Sequence, residues 1–292
     1  MTTSVTLVRV FDRTWTAWLR GVETCRKTPT RSAIHKLRID ARRLQALIDV
    51  LGHATEAPSK PLRRLARTAG KPLRATSPLR DDQVQRRRVG EAEASRGLEA
   101  LLDDVRHREA RHKEHARRAL AGIDRRRVEA LARRVRKGVV RRQGAPMPGE
   151  RTLLLFTAVD TAATDVRSRL ARFDAGAVRT LHKLRIALKH FRYIVEIAEE
   201  VSPHVHVAAQ PTLRTLQRRL GQVHDADVLL ARLDRFAARK RRHRADVRAF
   251  TQAIESARAQ SLRGLSRSLP ALRHALTDLA ARASSGAAAR AL

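Results

Sequence analysis

Apolar residues recur along most of the chain at intervals of three and four residues, the spacing that places them on one side of an α-helix. The chain is rich in Ala, Leu and Arg, and the strict alternation typical of β-strands is scarce. The clearest stripes are Ile34, Leu37, Ala41, Leu44 and Ile48 in one segment, and Leu181, Leu184, Leu188, Phe191 and Val195 in another. We therefore predict an all-α protein.

Stretches rich in proline, glycine or polar residues interrupt this pattern and divide the chain into helices. They are HATEAPSKP (53–61), TSP (76–78), RQGAPMPGE (142–150), FDAG (173–176), SPHVHVAAQP (202–211) and SLP (268–270). The strongest is 142–150, which has two prolines and two glycines and lies close to the midpoint of the chain. We expect two units of similar size to join there.

The sequence His-Lys-Leu-Arg-Ile occurs twice, beginning at His35 and at His182, 147 residues apart (182 − 35). Further along, RATSPLRDDQV (74–84) aligns with RRLGQVHDADV (218–228) at an offset of 144 (218 − 74). Because the two motifs recur in the same order, we predict an internal repeat, with one unit in residues 1–145 and the other in 146–292. Each unit would be an antiparallel four-helix bundle, and the two bundles would lie side by side.

Within each unit, we expect one helix to end near Thr76 or Gly221 and the next to begin near Asp81 or Asp225. Aspartate is a favoured residue at the start of a helix because its carboxylate accepts from free backbone N–H groups. We interpret the two aspartates as N-caps, and contact with a ligand is the alternative.

The side of each repeated helix that lies opposite its apolar stripe is basic. It carries His35, Arg38 and Arg42 in the first copy, and His182, Arg185 and Lys189 in the second, with Arg192 one turn further along. Guanidinium groups offer forked donors that match phosphate oxygens, and imidazole adds a donor near neutral pH. Such a row suits a row of phosphates. An ordinary solvated face is the alternative, which the repetition in both halves disfavours.

The charge of the chain also indicates an anionic partner. It has 62 Lys and Arg against 29 Asp and Glu, a formal net charge of +33, which repels itself in a compact fold unless polyanions or counter-ions offset it. Aromatic residues make up only 3% of the chain, too few to favour stacking on single-stranded nucleic acid. Binding to a duplex is compatible with this composition.

The pattern His-x-x-Arg followed by paired basic positions, once per half, together with LRDDQV (79–84) and VHDADV (223–228), resembles the CHAD family. The name abbreviates "conserved histidine α-helical domain". The resemblance covers essentially the whole chain, and it implies two helical bundles related by pseudo-twofold symmetry around a basic central groove or pore. It also implies that the ligand is inorganic polyphosphate.

By motif match, the resemblance implies a ligand site built from both halves. Its residues would be His35, Arg38, Arg42 and Arg43 in the first half, and His182, Arg185, Lys189 and His190 in the second. Arg74 and Arg80, with the equivalent Arg218 and His224, would complete the lining. The halves differ where Asp82-Gln83 stands against Ala226-Asp227, so they are expected to contribute unequally.

No motif indicates catalysis. A Gly-rich phosphate loop, a nucleophile motif and an acidic metal cluster are all missing from the sequence, and EAEAS (91–95) ends in serine where a triphosphate-hydrolysing Glu-x-Glu-x-Lys motif has lysine. The histidines of HVH (204–206) have no third ligand at a telling spacing, and His107, His112 and His115 lie among Arg and Lys, which disfavour a cation. We expect a non-enzymatic protein without a metal or cofactor.

The single cysteine, Cys25, and the lack of a signal-peptide pattern fit a reducing cytoplasm, and the resemblance implies location on polyphosphate granules. No apolar run is long enough for a membrane span, and nothing indicates an oligomeric state. The main alternative function is binding to the phosphate backbone of nucleic acid. Two inward-facing basic rows around one groove would favour polyphosphate, whereas one broad convex basic stripe would favour a duplex.

Overall fold

The computed structural model describes residues 6–53, 60–143, 148–202, 204, 205, 207 and 210–288. Within these ranges the chain is helical apart from turns and short connections, and it has no β-strand, so the predicted all-α class is confirmed. The helices are α1 (Leu7–Lys27), α2 (Arg31–His53), α3 (Lys60–Ala69), α4 (Lys71–Gly90), α5 (Arg96–Ala121), α6 (Arg125–Gln143), α7 (Pro148–Ala171), α8 (Val178–Val201), α9 (Gln210–Arg239) and α10 (Arg248–Ala288). Among these described helices, none is both long enough and apolar enough to cross a membrane.

Local capping explains where several of these helices begin. The hydroxyl of Thr6 accepts from the N–H of Arg9 at 3.3 Å, that of Thr30 from Ala33 at 3.1 Å, and that of Ser95 from Leu98 at 3.2 Å. Each hydroxyl satisfies one of the backbone N–H groups that the first turn of a helix leaves free. The breaks predicted at 53–61, 142–150, 173–176 and 202–211 all fall at junctions between helices.

Two predicted breaks are wrong, because 76–78 lies inside α4 and 268–270 lies inside α10. Around Pro78, the hydroxyls of Thr76 and Ser77 donate to the carbonyls of Pro72 and Leu73, each at 2.7 Å, and so support the turn that the proline weakens. Around Pro270, the flanking Leu269 and Leu272 are buried in the core and hold the helix on both sides.

Gly221 likewise lies inside α9, so the boundary predicted between a helix that ends near Gly221 and one that begins near Asp225 is absent from this helix. Asp81 and Asp225 are consequently in the middle of α4 and α9. Their interpretation as N-caps is wrong, because the backbone N–H groups near them belong to continuous helices.

The order of helix packing is the same on the two sides of the 142–150 junction. Helix α1 packs on α2 as α7 packs on α8, α2 contacts α4 as α8 contacts α9, and α4 packs along α5 as α9 packs along α10. This order agrees with an internal repeat. Superposition of residues 1–145 on 146–292 by a rotation near twofold stays a prediction.

Two hydrophobic cores hold the helices together, and each draws on both halves of the chain. The larger core contains Trp18 and Phe11 of α1 and Phe191 of α8. The smaller core joins the ends of α4 and α9 to the starts of α5 and α10, with Val89 and Phe236 among its members. The halves therefore share both cores instead of each enclosing its own.

Candidate functional site

The two helices that carry the repeated motif, α2 and α8, contact each other. Their apolar stripes are buried in the larger core, with Leu37 and Leu184 fully inaccessible. Arg42 on α2 lies close enough to α8 for its charge to lower the pKa of both Arg185 and Lys189. The structure thus brings together two basic rows that lie half a chain apart in the sequence.

Helices α4 and α9 complete the surroundings of these rows, since α2 contacts α4, α8 contacts α9, and α4 contacts α9. On α9, His224 and Asp225 lie between Val223 of the larger core and Ala226 of the smaller one. The rings of His182 and His224 lie 5.3 Å apart, centroid to centroid. The four helices therefore surround a polar layer where the two cores meet.

Eight of the predicted site residues interact electrostatically in this layer, and we call them the central cluster. They are His35, Arg38, Arg42, Arg80, His182, Arg185, Lys189 and His224. The arginines among them are close enough for their positive charges to lower one another's pKa values and that of Lys189. The predicted convergence of the two HKLRI motifs is a feature of the structure, whereas ligand binding by these residues stays a prediction.

Burial and mutual repulsion lower the basicity of the central cluster. Burial, followed by the charges of Arg185, Arg42 and Arg38, lowers the pKa of Lys189 to about 6. Burial and the charge of Arg185 lower the pKa of His224 to about 3. The pKa values of His35 and His182 are also lowered, mainly by burial, which favours the neutral form of each imidazole.

Two carboxylates, Asp81 and Asp225, lie within the same layer. Burial raises the pKa of each, and the charge of Asp225 raises the pKa of Asp81 further, as expected for two neighbouring carboxylates. Nearby Arg38 and Arg185 oppose this rise. Two carboxylates offset only part of the charge of the arginines and lysine, and no group of three acidic, histidine or cysteine ligands for a metal occurs in the described part of the chain.

Four basic side chains of the central cluster have hydrogen-bond donors that no described residue uses. The side chains of Arg42, Arg80, Arg185 and Lys189 make no hydrogen bond or ion pair with any described residue, and Nε of Arg185 is buried without one. Arg38 differs, because its Nη1 donates to the carbonyl of Leu73 at 3.0 Å and to the hydroxyls of Thr76 and Ser77 at 3.2 and 2.9 Å. Arg38 therefore ties α2 to α4, and the other four have donors available for an anion.

Three predicted site residues form pairs elsewhere on α2 and α8. Arg43 lies 4.0 Å from Glu196, and His190 lies 3.0 Å from Asp49, both across the contact between these helices. The equivalent positions are 147 residues apart in each case (190 − 43 and 196 − 49). Two reciprocal pairs of this kind are typical of a twofold relation. Arg192 pairs with Glu196 at 2.6 Å and lies over the ring of Tyr193.

The last two predicted residues, Arg74 and Arg218, are exposed and shift no pKa in the central cluster. The structure places Arg74 where α4 begins, beside the end of α3 at Gly70. Neither Arg74 nor Arg218 therefore belongs to the central cluster.

The sequence-based prediction missed Arg31 and Arg88. Arg31 lines a cleft of about 530 Å³ together with Thr30, Ser32, His35 and Arg80, at one side of the central cluster. The charge of Arg88 lowers the pKa of Asp225. Spacing along the helix could have revealed Arg31, because it precedes His35 by four residues and so lies on the same side of α2.

A buried polar group adjoins the central cluster. Asp82 is fully buried, with Oδ1 2.7 Å from Nη2 of Arg232 and Oδ2 2.5 Å from Nδ1 of His112, so it joins α4 to α9 and α5. His112 thus pairs with a buried carboxylate. Of the HVH motif, His204 is exposed and His206 lies outside the described residues.

Comparisons with known proteins identify a family and a fold. The family model named CHAD domain matches residues 9–210. A search of curated protein sequences gives no match. Two solved structures resemble the whole chain: the CHAD domain from the plant Ricinus communis, with a TM-score of 0.61 and 17% identity over 95% of this chain and 93% of that chain, and PptA from Streptomyces chartreusis, with a TM-score of 0.52 and 19% identity over 93% and 98%. At such identities the structures support the fold alone.

Proposed function

Because the chain belongs to the CHAD domain family, we propose that it binds inorganic polyphosphate in the central cluster, without chemical change to the ligand. The observation that carries this proposal is the set of three half-buried arginines, Arg42, Arg80 and Arg185, that make no hydrogen bond or ion pair with any described residue. Keeping such charges partly out of water costs free energy unless an anion compensates them. A chain of phosphates provides several anionic groups to one continuous site.

The shape of the surroundings favours a thin ligand. The central cluster lies among α2, α4, α8 and α9, which contact one another. Arg42, Arg185 and Lys189 are partly buried there, so a wide and stiff duplex has less access to them than a thin chain has. A single phosphate chain is narrow and flexible, and it can contact donors from both halves of the protein.

The charges around Asp81 and Asp225 favour binding over hydrolysis. Hydrolysis of phosphoanhydrides usually depends on Mg²⁺ held by carboxylates near the bound anion. Here the two carboxylates lie among arginines, whose charges oppose the approach of a divalent cation. We propose a non-catalytic, cytoplasmic protein that associates with polyphosphate granules, and release of orthophosphate dependent on added metal and on these aspartates would contradict this.

A competition experiment tests the proposed ligand. Labelled long-chain polyphosphate is bound to the full-length protein and displaced by unlabelled polyphosphate, by orthophosphate, by single-stranded RNA or by duplex DNA, at fixed ionic strength. We expect unlabelled polyphosphate to displace the label at the lowest concentration of phosphate groups. The proposal is wrong if orthophosphate or either nucleic acid displaces the label equally well.

Binding is expected to take up protons through Lys189. Its pKa of about 6 leaves this side chain mostly neutral above pH 7, and a bound polyanion raises that pKa, so the ammonium forms on binding. The affinity should therefore fall as the pH rises from 6 to 8. The groups that face Lys189 are Arg38, Arg42, His35, His182, Arg185, His224 and Asp225.

Calorimetry in buffers with different ionisation enthalpies measures this proton uptake directly. Long-chain polyphosphate is the suitable ligand because few of its phosphates are titratable end groups. The variant Lys189→Met should bind more weakly and take up fewer protons. An unchanged proton uptake in this variant would assign the effect to another group.

A further inference from the structure

Helices α3 and α6 pack together at the surface of the larger core. Leu62 and Leu65 of α3, and Val128, Ala132 and Val135 of α6, are buried in that core. The opposite sides of both helices consequently face solvent, and they form one surface that spans the two helices.

This surface is strongly basic. No acidic residue occurs between Lys60 and Arg80, and the only one in α6 is Glu129, which pairs with Arg125 at 2.8 Å. Ten exposed cations here make no hydrogen bond or ion pair with a described residue, and we call them the α3–α6 face. They are Lys60, Arg64 and Arg67 of α3, Lys71 and Arg74 at the adjoining start of α4, and Arg126, Arg133, Arg134, Lys137 and Arg141 of α6.

The acidic residues near α6 do not neutralise this face. Asp12 pairs with Arg136 at 2.8 Å, and Asp124 pairs with Arg127 at 3.1 Å. Both carboxylates are thus engaged by arginines outside the α3–α6 face. The positive charge of the face is left uncompensated by the described part of the protein.

We propose that the α3–α6 face binds the phosphate backbone of duplex nucleic acid, independently of base sequence. Helix α6 has 19 residues and is about 28 Å long, the length of about eight base pairs. The cations lie on the exposed sides of adjacent helices, so they can contact phosphates spread over the width of a duplex. Lysine and arginine contacts to phosphates position a duplex without reading its bases.

The same observations disfavour other polyanions. Helices α3 and α6 contain no aromatic residue, so they lack platforms on which single-stranded bases stack. Their apolar sides are buried in the core, so neither helix can insert an apolar face into a lipid surface. A duplex requires neither stacking nor insertion.

The face is separate from the central cluster. No member of the α3–α6 face shifts the pKa of a central residue, and the face is exposed whereas Arg42 and Lys189 are partly buried. The protein can therefore hold a phosphate chain within the fold and a duplex on its surface at the same time.

The test measures binding of a labelled mixed-sequence duplex DNA of 20 base pairs to the full-length protein at several salt concentrations. The variant Arg133→Gln, Arg134→Gln, Lys137→Gln removes three charges of the face. The control Lys240→Gln, Arg241→Gln, Arg244→Gln removes three exposed charges at the turn between α9 and α10. Glutamine favours helix, and circular dichroism confirms that both variants are folded.

We expect the face variant to bind duplex DNA at least about tenfold more weakly near 0.1 M salt, with a salt slope reduced by about two to three. The control should resemble the wild type, and polyphosphate binding should be unchanged in the face variant. Equal losses in both variants, or tight binding of the face to anionic vesicles with no binding of DNA, would overturn the proposal. If the face variant loses polyphosphate binding but keeps DNA binding, the proposal is overturned too. Binding of polyphosphate in the central cluster is tested separately, by changes to Arg42, Arg185 and Lys189.

Discussion

The triple variant Arg42→Gln, Arg185→Gln, Lys189→Gln is expected to bind long-chain polyphosphate about a hundredfold more weakly than the wild type. A hydrogen bond to a charged group contributes about 1.5–3 kcal/mol, and solvent screening of these half-buried side chains reduces that to about 1 kcal/mol each. Three such contacts correspond to about two powers of ten in affinity. Equilibrium titration with polyphosphate of defined length measures the loss.

The same triple variant should keep most of the wild-type stability without ligand, because Arg42 and Arg185 repel each other and none of the three side chains makes a hydrogen bond or ion pair with a described residue. Thermal unfolding therefore separates loss of binding from loss of fold. The control Lys240→Gln, Arg241→Gln, Arg244→Gln removes three charges from an exposed turn, at least as many as the triple variant, and should reduce affinity only slightly. If the control loses as much affinity as the triple variant, binding is a property of the net charge and not of the central cluster.

Asp82→Ala is expected to lower the free energy of unfolding by about 3–5 kcal/mol, because it leaves the buried guanidinium of Arg232 without its counter-charge. The change also removes the acceptor for His112 and so weakens the connection of α4 to both α5 and α9. The midpoint of urea denaturation measures this effect.

Asp234→Ala is the matched control, since Asp234 is an exposed aspartate on α9. Its replacement should change stability by less than about 0.5 kcal/mol. A loss below about 1 kcal/mol for Asp82→Ala would mean that the buried group is not important for holding the helices together.

The hydrophobic pattern predicted the fold class and which sides of α2 and α8 are polar. The spacing of Leu37 and Leu184 placed them on buried stripes, which left Arg42 and Arg185 on the opposite sides of their helices. The contact between α2 and α8 brings basic residues of those two sides close to one another. The periodicity of a single helix indicates which side of it is polar, and the repeat indicated that two such sides belong together.

How far along its helix a side chain lies from the central cluster was harder to predict than the side of the helix on which it lies. Arg74 lies on the same side of α4 as Asp81, since seven residues are close to two turns, but it is displaced by about 10 Å along the axis. It therefore reaches α3 and not the central cluster. Arg218 stands seven residues before Asp225 and is displaced in the same way.

Pairing with acidic residues from another helix was also not evident from the local sequence. Arg43 and His190 adjoin members of the central cluster in the chain, yet they turn toward Glu196 and Asp49. The helix through Pro78 is a similar case, because the support for its preceding turn includes Arg38, which lies 40 residues earlier (78 − 38). Such contacts follow from tertiary packing, which local propensity does not encode.

The most direct test of the central claim is an experimental structure of the wild-type protein with a linear polyphosphate of defined length. We expect phosphates within hydrogen-bonding distance of Arg42 on α2 and of Arg185 and Lys189 on α8, in one chain that crosses between the two halves. A structure in which polyphosphate binds only at the outer surface, with no phosphate near these three residues, would contradict the assignment of the site.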